Sequence, residues 1–110
     1  MVYYSQVSEE QLSNIFIGLT KWKKHPLEYD HAASYVDHIV DYCEILDQTS
    51  YHALARYAGH KKFGKHIFKY TRNKSTSWYI IYDVEIESNT IYIQHISSNH
   101  TTKSKNVFFS

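Results

Sequence analysis

A chain of 110 residues with 43% apolar and 21% charged side chains holds enough apolar material for one folded domain and too little chain for two, which excludes both disorder throughout and a multidomain layout. The formal net charge of +1 hides a polarity, because residues 1–58 carry four Lys/Arg against eight Asp/Glu, whereas residues 59–110 carry eight against three. The single cysteine, Cys43, excludes an intramolecular disulfide, and no apolar run approaches the ~20 residues of a membrane-spanning helix. No charged segment followed by an apolar one opens the chain, so a cytoplasmic location is expected. An acidic half joined to a basic, aromatic half suits an anionic partner bound on one face.

Residues 2–7 are β-branched and aromatic enough to predict a strand. Ser8-Glu9-Glu10-Gln11 then reads as a capping box with Ser8 as N-cap, and Val7 and Leu12 occupy the positions of a hydrophobic staple. Leu12, Ile15, Phe16 and Leu19 follow the spacing of one buried helical face, which predicts a helix to about Lys24. Pro26 lies in a short break, after which Ala32, Val36, Ile39, Val40, Cys43 and Leu46 repeat the stripe, with Asp30, Asp37, His38, Asp41 and Glu44 largely on the other side. Residues 8–47 are thus expected to form an antiparallel helical hairpin.

From residue 63 the period changes. Residues 63–70, 77–84 and 90–96 are three short segments rich in Ile, Tyr, Phe and Trp, separated by short polar linkers that favour antiparallel hairpins. A polar tail, 97–110, closes on the apolar cluster Val107, Phe108 and Phe109. The expected fold is a single α+β domain of order β-α-α-β-β-β. In it the helical hairpin packs on one face of a mainly antiparallel sheet spanning 63–96, and basic residues lie on the opposite face. Eleven tyrosines, five phenylalanines and two tryptophans predict a small aromatic core.

Four segments carry a likeness beyond composition: the helix end Ile39-Val40-Asp41-Tyr42-Cys43-Glu44-Ile45-Leu46, the basic segment Gly64-Lys65-His66-Ile67-Phe68-Lys69, the strand Trp78-Tyr79-Ile80-Ile81-Tyr82-Asp83-Val84 and the strand Ile91-Tyr92-Ile93-Gln94-His95-Ile96. In order and pattern they resemble the RelE/ParE superfamily of toxins from bacterial toxin-antitoxin pairs. The resemblance implies a small cytoplasmic toxin that arrests growth and is neutralised by a cognate antitoxin wrapped across its surface. RelE-like members cut mRNA in the ribosome, using basic residues on the sheet and near the C-terminus, whereas ParE-like members act on DNA gyrase without cleaving RNA. Ribosome-dependent mRNA cleavage is the leading expectation. A non-catalytic gyrase inhibitor and an inert antitoxin-binding module are the alternatives.

Cleavage through a 2′-hydroxyl needs a base, an acid for the leaving oxygen and cations for the phosphate. Alternation places Lys65, Ile67 and Lys69 on one strand face and His66, Phe68 and Tyr70 on the other. Lys65, Lys69 and Arg72 are the candidate phosphate-holding catalytic residues, and Lys61, Lys62, His66, Lys74 and Lys103 are further candidates for nucleic-acid contact. His100 stands where the resemblance implies a catalytic basic residue, and as a histidine it could act as acid or base near neutral pH. His95 falls in phase with Ile91 and Ile93 and reads as a core or semi-buried histidine that hydrogen-bonds across the sheet. No His/Cys spacing supports a metal site, and no cofactor is expected. Cys43 lies in the apolar phase of its helix and reads as structural.

Overall fold

The computed structural model describes residues 1–21 and 27–99. Within them a four-stranded sheet of order β1-β4-β3-β2 is built from β1 (Val2–Tyr4), β2 (His66–Thr71), β3 (Ser77–Glu85) and β4 (Thr90–Ser98). The last three strands run antiparallel, and β1 joins β4 in parallel. Two helices, α1 (Gln6–Thr20) and α2 (Tyr29–Glu44), cover one face. The expected α+β order is present, and the sheet is mainly antiparallel as expected, with β1 as its one parallel strand among the described residues.

The core is the seam between those helices and the sheet. Ile15 and Leu19 of α1 and Ala32, Tyr35, Ile39 and Cys43 of α2 meet Trp78, Ile80, Tyr82, Ile91, Ile93 and Ile96. Trp78 is fully buried, and its indole N–H donates to the Tyr35 hydroxyl at 3.0 Å, with the two rings edge to face. That bond satisfies the one polar atom that an indole brings into an apolar seam. Cys43 is buried beneath α2, and burial foremost pushes its thiol up to about 12, which leaves no reactive thiolate at neutral pH.

The start of α1 departs from expectation, and the departure has a cause in the sheet. Ser5 is the N-cap in place of Ser8: its Oγ accepts from the Ser8 amide at 3.0 Å, so β1 stops at Tyr4. Val7 is exposed and makes no staple. Ser8 and Gln11 turn inward because β1 is too short to pair the whole edge of β4. The Ser8 hydroxyl donates toward the carbonyls of Ser5 and Ile93, the Ser5 hydroxyl donates to the Gln94 carbonyl, and Gln11 Oε1 accepts the Ile96 amide at 2.6 Å. Spaced three apart along one side of α1, these three side chains complete the ladder where the parallel strand ends. Gln11→Met is therefore expected to cost about 1–3 kcal/mol by stranding the amide of buried Ile96, read as a lowered midpoint in urea unfolding.

A second correction concerns β4. Its register with β3 shifts between Ile81 and Tyr82, where Ile81 pairs with His95 but Tyr82 pairs with Ile93. The extra residue, Gln94, reverses the alternation, so Ile96 enters the core and His95 moves to the face away from the helices. The predicted end of α1 near Lys24, the Pro26 break and the apolar cluster at 107–109 lie outside the described residues.

Candidate functional site

Two cross-strand rows on the face of the sheet opposite the helices carry the candidate side chains, and Asp83, paired with Tyr92, stands on the same face. One row is Lys69, Tyr79 and Ser97, and the next is Ile67, Ile81 and His95. Of the expected cations, Lys69 alone stands on the described strands of this face, and it is exposed. Lys61, Lys62 and Lys65 come to it on a segment without a regular period.

Residues 53–65 form a strap across this face. Both ends are pinned to the edge of β2: the Ile67 amide donates to the Ala53 carbonyl and the Ala55 amide to the Lys65 carbonyl, each at 2.9 Å. The Lys65 amide in turn donates to Asp83 Oδ1 at 2.9 Å. Between the pins runs a single helical turn, α3 (Ala58–Lys61), whose His60 ring lies 4.8 Å from the Tyr79 ring. Phe63 stacks almost parallel on His95 with ring centres 3.7 Å apart. Gly64 follows because the chain runs close over β3 there: a Cβ at this position would meet Ile81 Cγ2 at 3.0 Å and the Tyr82 carbonyl oxygen at 3.3 Å. Ile81 is accordingly fully covered although it lies outside the helix-side core.

The outer side of the strap is a shallow groove of about 830 Å³ lined by Leu54, Ala55, Arg56, Lys61, Lys62, Phe63, Gly64 and Lys65. Four of those eight residues are cations, and Lys62 Nζ lies 5.0 Å from the centre of the Phe63 ring. The inner side is different in character. His60 and Ser97 are 8% and 6% exposed, and His60 Nε2, His95 Nδ1 and Ser97 Oγ are buried without a hydrogen-bond partner. Burial lowers the pKa of His60; burial first, then His60 and Lys62, lower that of His95. Both imidazoles are therefore held toward the neutral form.

The candidates from the sequence thus divide. Lys61, Lys62 and Lys65 line the groove, and Lys69 stands on the sheet face that the strap crosses. Arg72 does not join them: its guanidinium lies 3.8 Å from the centre of the Tyr35 ring and donates to His38 Nδ1 and the Tyr70 hydroxyl, which ties it to the helix side. The expected grouping of Arg72 with Lys65 and Lys69 is corrected on that ground, since a residue one past the end of β2 is free to fold over onto α2.

His66 also points to the helix side, where its ring faces His52 and Tyr82 and the His52 Nδ1 shares a 2.8 Å hydrogen bond with the Tyr82 hydroxyl. Lys74 is exposed in the β2–β3 turn, which Asn73 Oδ1 closes by accepting the amides of Ser75 and Thr76. His100 and Lys103 lie outside the described residues. Sequence pattern does not single out His60 or Ser97, and strand alternation puts His95 on the face opposite the one it occupies. One signal was available: Ile91, Ile93 and Ile96 break the period of two, which marks a bulge before Ile96. No protein-family model, curated protein or solved structure matches this chain.

Proposed function

We propose that this chain is the toxin of a toxin-antitoxin pair of the RelE/ParE type, and that it arrests growth by cutting mRNA on the ribosome. One observation supports the reading most: Arg56, Lys61, Lys62, Lys65 and Lys69 gather around a sheet face that carries His95, Tyr79 and Ser97. A single RNA strand offers phosphates to the cations and unstacked bases to rings such as Phe63 and Tyr57, both exposed. In the reaction the base takes the proton of a 2′-hydroxyl, the 2′-oxygen bonds to phosphorus, and the bond to the 5′-oxygen breaks as the acid protonates that oxygen. Lys65 and Lys69 balance the charge that develops on the phosphate, and His100 is the sequence-derived candidate for a proton-transfer role.

The test is primer extension on a reporter mRNA in a reconstituted translation reaction with the purified protein. New stops that require ribosomes are expected. Intact mRNA at a normal translation rate, together with inhibited supercoiling by purified DNA gyrase, would overturn cleavage in favour of the ParE-type activity.

A further inference from the structure

Among the described residues, three polar atoms without partners lie on or over one face of the sheet. His60 hangs from α3 onto Tyr79; Tyr79 is the cross-strand partner of Ser97; and His95 lies two residues from Ser97 on the same face of β4. Buried polar groups are ordinarily paired, so His60 Nε2, His95 Nδ1 and Ser97 Oγ together form a site whose hydrogen-bonding capacity is unused. Lys62 acts electrostatically on His95, and the groove cations lie along the same strap, so the surroundings oppose a metal cation and favour an anion. Against the two imidazoles lie Tyr57, Lys62 and Phe63 from the strap and Tyr79 from β3, with Lys69 from β2 in the same row as Tyr79 and Ser97. Asp83 is a carboxylate on the same face, and its two oxygens accept from the Lys65 amide and the Gln94 side chain.

We propose that His60, His95 and Ser97 form a clamp for one phosphate oxyanion, a phosphodiester of single-stranded RNA, with the strap lifting at its middle to admit it and closing over it. The source of the phosphate rests on the nucleic-acid reading above; the clamp itself does not require the ribosome. The strap suits the motion because its backbone pins lie only at residues 53–55 and 65–67, while its middle touches the sheet through the His60 and Phe63 rings. Ser97 Oγ donates to one phosphate oxygen and the imidazoles donate to others. Among the described residues neither imidazole pairs with a carboxylate, and each gains a counter-charge on binding, so the clamp takes up protons as the anion enters.

The test follows the histidine ring signals of the full chain by NMR across pH 5–8, with a 2′-O-methyl RNA hexamer, with inorganic phosphate, and with neither. The hexamer is expected to raise the titration midpoints of His60 and His95 by about one pH unit or more, the size an opposite charge at contact distance produces. Ser97→Ala, which removes only the hydroxyl, is expected to weaken hexamer binding about tenfold. Hexamer binding with both midpoints unchanged would overturn the clamp and leave the cleavage reading standing, and so would a Ser97→Ala protein that is folded and binds as wild type. Midpoints raised by inorganic phosphate alone would overturn RNA as the source. A failure of the hexamer to bind at all would overturn the clamp, and intact mRNA in the translation assay would separately overturn the function.

Discussion

Trp78→Ala is expected to lower stability by about 3–5 kcal/mol, a large share of the ~5–15 kcal/mol that holds a domain of this size folded. Trp78 is the largest fully buried side chain among the described residues and packs against Tyr35 of α2, so its removal opens a cavity in the helix-side core that the sheet cannot close without breaking pairs to β2 and β4. It also removes the 3.0 Å bond to the Tyr35 hydroxyl. Trp78→Phe separates the two effects: it keeps most of the buried ring and loses the donor, so a cost of roughly 1–3 kcal/mol is expected. Urea unfolding followed by far-UV circular dichroism measures both without depending on either tryptophan's fluorescence. Equal costs for the two variants would mean that the hydrogen bond, and not the packed volume, carries Trp78's contribution.

The contrast between Trp78 and His95 shows what sequence pattern conveys in this fold. Strand alternation and helical stripes depend on neighbours a few residues away, so the order of elements, the helix-side core and the three antiparallel segments were legible. Ile15, Leu19, Ile39 and Cys43 fell where their spacing put them. Features that answer to distant partners were not legible. Ser8 and Gln11 have the composition of a capping box, yet they are drawn off by the unpaired edge of β4, more than eighty residues away in sequence. His95 changes face because one extra residue, Gln94, is inserted into a ladder. The strap has no periodicity, since its single helical turn is held by two backbone pins and two ring contacts. The candidate site is built largely on those non-local features, so Lys61, Lys62, Lys65 and Lys69 could be named from composition while His60 and Ser97 could not.

Replacing Arg56, Lys61, Lys62 and Lys65 together by alanine is expected to flatten the salt dependence of single-stranded RNA binding, because the groove has the character of a counterion-release surface. Each phosphate neutralised on a single strand contributes about 0.7 to the slope of log affinity against log salt, so four groove contacts contribute about 2.8. Their loss is worth between about two and three orders of magnitude in affinity near 0.1 M salt and almost nothing near 1 M. Fluorescence anisotropy with a labelled oligonucleotide at four salt concentrations gives the slope directly. Lys21→Ala is the control, since Lys21 is exposed at the C-cap of α1 and lies outside the groove. All four groove side chains are exposed and none makes an ion pair among the described residues, so the variant keeps the fold and the measurement isolates charge. An unchanged slope would show that the groove cations do not meet phosphate, and would move the anion-binding surface to Lys69 and the rows of the sheet. Replacing Lys61, Lys62 and Lys65 by arginine, beside the native Arg56, tests the mechanism from the other side: counterion release depends on charge, so the slope is expected to be preserved even where hydrogen-bond geometry changes.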